Sequence, residues 1–135
     1  MSKSPTTTSL PILAGEVVCG FPSPAGQYAE GALDLNTLLV KVPEATYFVR
    51  AIGDSMSGAG IRPGDILVVD RSCDAGENAI VVAAVDNEFT VKYLRRDASG
   101  WFLAPDNPDY PPIHFHNASE IRLFGVVTAC IHQFK

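Results

Sequence analysis

One serine in this chain lies where a strand is expected to end in a sharp turn. Ser55 belongs to residues 53–60, GDSMSGAG, which follow a run rich in β-branched and aromatic residues. Gly53 permits a sharp exit from the strand, and a serine on such a turn presents its hydroxyl and its backbone N–H together. Taken alone, the pattern is more typical of a turn former or a helix cap than of a nucleophile.

Lys92 is the second candidate, in the run EFTVKYL of residues 88–94. Strand alternation places it on one face with Thr90 and opposite Val91 and Tyr93. A solvated strand lysine is the more common interpretation, and an ordinary lysine pKa of ~10.4 keeps the amine protonated at neutral pH. Lowering that pKa to ~7–8 requires roughly 3–5 kcal/mol of differential solvation. A catalytic role therefore requires a fold that encloses Lys92.

The histidines do not offer a better base. His114 and His116 flank Phe115 on a predicted strand and share a face, but no third metal ligand is apparent. His132 lies near the C-terminus and is predicted to be exposed. Because no Ser–His–Asp or Cys–His set is recognised, Ser55 and Lys92 are the main candidates for a nucleophile and its base. No cofactor and no metal are predicted.

The dipeptide Cys19-Gly20 is interpreted as a substrate of that pair. A small side chain followed by glycine lets another group approach the backbone closely, and the preceding Val17 and Val18 favour an extended conformation. Cys19 as a nucleophile is the competing interpretation, but no basic neighbour is present to lower the pKa of its thiol.

The elements that must position these groups are mainly β. Seven strands are predicted, at residues 46–52, 65–70, 79–85, 89–94, 101–105, 112–115 and 122–131. Asp86-Asn87 predicts a hairpin, residues 62–65 predict a turn, and Asp34 is expected to cap a short helix over residues 35–40. The pattern predicts a compact, folded-over β-sheet or partly open barrel with one or two short helices. Residues 1–33 are assigned to an extended N-terminal arm and linker, and residues 34–135 to the core.

Composition limits the classes of function. The chain has 135 residues, 47% of them hydrophobic, and a net charge of -5, which is typical of one globular domain. Arg95-Arg96 is the longest basic run, so direct DNA binding is not expected. Three cysteines without metal-type spacing indicate reduced thiols. No apolar run approaches the ~18 residues of a membrane span, and the N-terminus makes a poor signal peptide, so a cytoplasmic location is predicted.

Together these pieces resemble the LexA-like self-cleaving peptidases of the bacterial SOS response, and the UmuD group within that family. The resemblance runs from about Val18 to Val127, and Ser55 and Lys92 are 37 positions apart, as in the family's Ser–Lys dyad. The eight collinear blocks that carry it are residues 19–25 (CGFPSPA), 34–36 (DLN), 45–49 (ATYFV), 53–56 (GDSM), 64–70 (GDILVVD), 83–86 (AAVD), 88–92 (EFTVK) and 124–127 (FGVV).

The resemblance implies a LexA-like peptidase fold and a role for each matched residue. Ser55 would be the nucleophile, Lys92 the general base, and Cys19–Gly20 the scissile bond. Cleavage would be stimulated by the RecA–single-stranded DNA filament. The product, residues 20–135, would form a homodimer that serves a UmuC-type polymerase subunit in error-prone synthesis past DNA lesions. The apolar strand at residues 124–131 is a further reason to expect a homodimer, since it could offer an edge for pairing.

Two other hypotheses stay open at this stage. One is a non-catalytic β-module that binds a polymerase or a repair protein, with Lys92 solvated. The other is a LexA-like transcriptional repressor, which would need a DNA-binding domain ahead of the cleavage site. The 18 residues before Cys19 are too few for a helix-turn-helix.

Overall fold

The computed structural model describes residues 9–13, 29–118 and 120–135 of the chain. Contacts group the chain into two compact units, one ending at Lys41 and the other running from Val42 to Lys135. Among the described residues, no helix has the length and apolar character that crossing a membrane requires. The assignment of residues 1–33 to an arm and of residues 34–135 to a peptidase core stays a prediction.

The first unit contains a short antiparallel ribbon and one helix. Strand β1 (Ser9–Leu13) pairs with β2 (Ala29–Asp34), and helix α1 (Leu35–Leu39) follows β2 directly. The Asp34 carboxylate accepts a hydrogen bond from the Asn36 N–H at 3.0 Å, which satisfies one of the free donors at the helix start. The predicted helix and its cap are confirmed, whereas the ribbon was not predicted.

The second unit is a seven-stranded antiparallel sheet, and the predicted mainly β fold class is confirmed. The strands occur in the spatial order β3-β4-β9-β5-β6-β7-β8. Their bounds are β3 (Thr46–Arg50), β4 (Ile66–Asp70), β5 (Ile80–Val85), β6 (Glu88–Asp97), β7 (Gly100–Ala104), β8 (Ile113–His114) and β9 (Ile121–Ile131). Short 3-10 turns lie at Pro43–Ala45, Ser57–Ala59 and Phe115–Asn117.

Two tight turns bring the strands together as predicted. Asp86 and Asn87 join β5 to β6 with φ angles of 49° and 72°, so both lie in the left-handed region that two-residue hairpins need. Short polar side chains tolerate that region without glycine. The turn before β4 has Gly64 at φ 91°, and the Asp65 N–H donates to the Arg62 carbonyl at 3.1 Å.

Strand β9 lies inside the sheet. It pairs with β5 over Ile121–Val126 and with β4 over Val126–Ile131. Beyond Val126, the pairing in the described part of the chain is with β4 alone, so the other edge of residues 127–131 has no strand partner there and the expectation that this stretch offers an edge stays a prediction. The homodimer itself stays a prediction.

Two hydrophobic clusters pack on the sheet, and strand alternation assigns consecutive residues of β5 to different clusters. The first cluster has Ala51, Met56, Ile61, Leu67, Val69 and Val82 as its buried members. The second cluster has Val81, Ala83, Leu94 and Leu103. Because Met56 and Ile61 come from the loop after β3, the first cluster fixes that loop on the sheet.

A buried carboxylate ties the start of β4 to the end of β9. Asp65 is 2% exposed and accepts hydrogen bonds from the Arg62 N–H at 2.9 Å and the Cys130 thiol at 3.1 Å. Its other oxygen lies 2.5 Å from His132 Nδ1. The Arg62 backbone donor first, and then His132, lower the pKa of Asp65 from 3.8 to about 2.

We expect Asp65→Asn to be less stable than the wild type near neutral pH, with the difference shrinking in acid. A carboxylate whose pKa is lower in the folded state stabilises the fold above its unfolded pKa of 3.8, and that contribution is lost as the pH falls towards about 2. Urea midpoints measured across that interval test this. Asp109→Asn, at an exposed aspartate outside the cluster, is the control. A difference that does not depend on pH would contradict the expectation.

Candidate active site

The loop that carries Ser55 is fixed at both ends. At its start, the Ala51 N–H donates to the Asp65 carbonyl at 2.8 Å, and the Gly64 N–H donates to the Ala51 carbonyl at 2.8 Å. Gly53 has a φ of 79°, which gives the sharp exit predicted from the sequence. Met56, directly after Ser55, is only 3% exposed. The hydroxyl of Ser55 therefore stands on a turn whose next side chain is packed into the core.

Lys92 projects from β6, where it pairs with Val81 of β5. Its side chain is enclosed, and the residue is 8% exposed. Its amine Nζ lies 2.9 Å from Ser55 Oγ, 2.6 Å from Thr90 Oγ1 and 3.2 Å from the Val91 carbonyl oxygen. The structure thus brings together the two residues that the sequence singled out.

A neutral amine can use all three partners. A neutral lysine has two N–H groups and one lone pair, and the Val91 carbonyl can only accept a hydrogen bond. If the two N–H groups are directed at Val91 and Thr90, the lone pair is left for the proton of Ser55. The arrangement can therefore hold a serine hydroxyl with its proton directed at a base.

The electrostatic surroundings also favour the neutral form. Burial lowers the pKa of Lys92 below its ordinary value of 10.5, because an apolar environment disfavours the charged amine. None of the three hydrogen-bond partners carries a charge that would stabilise an ammonium group. The enclosure that a lysine base requires is present.

Thr90 is a site residue that the sequence analysis did not single out. It precedes Lys92 by two positions on β6, and strand alternation had already placed both side chains on one face. That shared face was the available signal. A hydroxyl two residues from a strand lysine can accept one of its N–H groups and hold the amine in place.

A cleft of about 240 Å³ opens beside Ser55. Arg50, Ser55 and Thr90 supply polar groups, and most of the lining is apolar, from Val49, Ala51, Ile52, Met56, Ile61, Val82, Phe89 and Val91. An extended segment with apolar side chains fits such a surface, since binding would remove apolar area from water.

Cys19 and Gly20, the predicted scissile pair, are outside the described residues. His114 Nε2 is 3.6 Å from Asp97 Oδ2, its ring is 5.4 Å from that of His116, and His132 contacts Asp65. Within the described ranges, no three His, Cys, Asp or Glu side chains are grouped as metal ligands.

Known proteins match nearly the whole chain. A family model described as Peptidase S24-like matches residues 11–128. Protein SamA of Salmonella typhimurium is 44% identical over 133 residues, which cover 98% of this chain and 92% of SamA. Protein ImpA of Salmonella typhimurium is 44% identical over 126 residues, or 93% of this chain and 85% of ImpA. The LexA repressor of Azoarcus sp. is 38% identical over 120 residues, or 88% of this chain and 59% of the repressor.

Proposed function

Because this chain belongs to the Peptidase S24-like family, we propose that it removes its own N-terminal arm by cutting between Cys19 and Gly20. The family and its relatives bear out the predicted fold class and a self-cleaving role in SOS mutagenesis. The observation that carries the proposed chemistry is the 2.9 Å contact between Lys92 Nζ and Ser55 Oγ, made by an amine that is 8% exposed. That burial argues against a solvated lysine, which was one ground for the hypothesis of a non-catalytic binding module; the other ground was the acidic net charge.

In the proposed reaction Ser55 is the nucleophile and Lys92 the general base. The neutral amine takes the hydroxyl proton as Ser55 Oγ attacks the carbonyl carbon of Cys19. The ammonium group then gives that proton to the amide nitrogen of Gly20 as the peptide bond breaks. An ester between Cys19 and Ser55 remains. Lys92 next deprotonates a water molecule, which hydrolyses the ester, and the proton returns to Ser55.

The substrate arm is tethered to its own site or to that of a dimer partner, which compensates for a weak base. Intramolecular delivery replaces a bimolecular encounter, and effective molarities of about 10⁵ M or more are reached in well-oriented intramolecular reactions. The Ser55 N–H, together with that of an adjacent residue, is the proposed donor pair for the oxyanion.

The partners belong to the proposal as well. By its resemblance to the UmuD group, the chain would be cytoplasmic and would cleave itself when it meets a RecA–single-stranded DNA filament. Residues 20–135 would then form a homodimer that assists a UmuC-type polymerase. The net charge of -5 supports an arrangement in which the polymerase, and not this chain, contacts DNA.

We expect the purified chain, incubated at alkaline pH, to yield two fragments whose masses correspond to residues 1–19 and 20–135. Ser55→Ala should stay intact because it lacks the attacking oxygen. Ser57→Ala, which alters an exposed hydroxyl on the same loop, should cleave like the wild type. Mass spectrometry over a time course measures both fragments. Equal cleavage by Ser55→Ala and the wild type would overturn the proposed function.

A further inference from the structure

Residues 105–110, which follow β7 and are called the strap below, are bonded to the loop that carries Ser55. The Asp106 N–H donates to the Ser55 carbonyl at 2.8 Å, and the Gly58 N–H donates to the Asp106 carbonyl at 2.8 Å. Further along the strap, Asn107 Nδ2 donates to the Asp54 carbonyl at 3.0 Å. The backbone of the nucleophile is thus held from outside its own loop.

The side chain of Asp106 reaches the strand that carries the base. Its carboxylate accepts a hydrogen bond from the Tyr93 hydroxyl at 3.0 Å, and Tyr93 directly follows Lys92 on β6. Burial first, and then Asp106, raise the pKa of Tyr93, so its phenol stays a hydrogen-bond donor. Tyr93 also packs on the first hydrophobic cluster, which contains Met56. Asp106 is therefore bonded to the backbone of Ser55 and to the residue that follows Lys92 on β6.

The loop and the strap approach so closely that only glycine fits at position 58. A Cβ atom there would lie 2.5 Å from Asp106 Oδ1 and 2.6 Å from the Asp106 carbonyl oxygen. The backbone carbonyl cannot turn away as a flexible side chain can. A side chain at position 58 would therefore push the strap and the loop apart.

On the basis of the proposed function, we infer that Asp106 is a positioning residue, which sets the separation of Ser55 and Lys92 by bonding the loop of one and the strand of the other. The two groups are 37 positions apart in sequence, so no local geometry fixes their distance. A displacement of about 1 Å can cost on the order of 10²-fold in rate. A residue that joins both elements is placed to prevent such a displacement.

Asp106→Ala and Tyr93→Phe remove the two sides of one hydrogen bond and should each slow self-cleavage by about tenfold or more. Asp106→Asn keeps an oxygen acceptor of the same shape and should restore the rate to within about threefold. The double variant Asp106→Ala/Tyr93→Phe should be no slower than the slower single variant, because both changes break the same bond. First-order rate constants are measured at several pH values, with the folded fraction obtained by urea titration.

Gly58→Ala tests the same contact from the loop side and should be slower than the wild type. Gly76→Ala is its control, because a Cβ at position 76 meets nothing within 4 Å. The inference is overturned if Asp106→Ala cleaves at the wild-type rate, or if Asp106→Asn is as slow as Asp106→Ala. A loss of rate that only mirrors a loss of folded protein would also overturn it.

A second measurement separates this inference from the proposed function. In a Ser55→Ala background, where no cleavage is expected, hydrogen exchange of the Gly58 N–H should be faster with Asp106→Ala than with Asp106→Asn. If the Gly58 N–H exchanges at the same rate in both variants, the inference about Asp106 is overturned, regardless of the result of the cleavage assays. Cleavage that does not depend on Ser55, alongside the expected difference in exchange, overturns the proposed function alone.

Discussion

Lys92→Met is expected to abolish self-cleavage while leaving the folded chain at least as stable as the wild type. Methionine has a similar length but no proton acceptor, and loss of general base catalysis alone costs about 10²–10⁴-fold in rate. Replacing the buried amine removes the cost of keeping a polar group away from water, which stabilises the fold. It also removes the hydrogen bonds of the amine to Thr90 and Val91, which destabilises the fold. We expect a net stabilisation of about 1 kcal/mol or less.

The measurement pairs fragment masses with urea midpoints on the same samples. Lys135→Met, at the exposed C-terminal residue, is the control for the loss of one lysine charge and should cleave like the wild type. Lys92→Arg should also be inactive, because a guanidinium group does not deprotonate, and it should be destabilised by a larger buried cation. Cleavage by Lys92→Met at a substantial rate would show that another group accepts the proton from Ser55.

The strands that position the pair could be predicted because their signals are local. The run at residues 88–94 alternates in polarity, and Asp86-Asn87 before it supplies the two residues that tolerate positive φ. The placement of Lys92 on a strand followed from those few residues. Its burial did not, since enclosure depends on the Ser55 loop and on β5, which are remote in sequence.

Pairings between distant segments could not be predicted in the same way. Strand β1 contains Pro11, which cannot donate to a ladder, and its partner β2 contains Gly31, so neither matches a strand pattern. The apolar sequence of β9 is equally consistent with an edge and a central position, because the order of strands in a sheet is set by long-range packing. Asp106 lies in a Pro-rich segment that predicts a loop. Its hydrogen bonds to Ser55 and Gly58 are made by backbone atoms, so the sequence of side chains does not predict them.

The rate of self-cleavage should rise about tenfold per pH unit and level off below pH 10.5. Only neutral Lys92 can accept the proton from Ser55, and the neutral fraction grows tenfold per unit while the pH is well below the pKa. Because burial lowers that pKa, the rate should level off at a lower pH than for a solvated lysine. First-order rate constants of the wild type, measured under conditions where the chain stays folded, give the curve.

Thr90→Val should move this profile in a direction that distinguishes Lys92 from other bases. Thr90 Oγ1 accepts an N–H from the amine at 2.6 Å, and an acceptor stabilises the ammonium form more than the neutral one. Removing this acceptor should lower the pKa of Lys92 further, so the cleavage rate should level off at a lower pH. The maximal rate should fall, because the amine is less well oriented. If the profile of Thr90→Val levels off at the wild-type pH or above, the titrating group is not an amine held by Thr90.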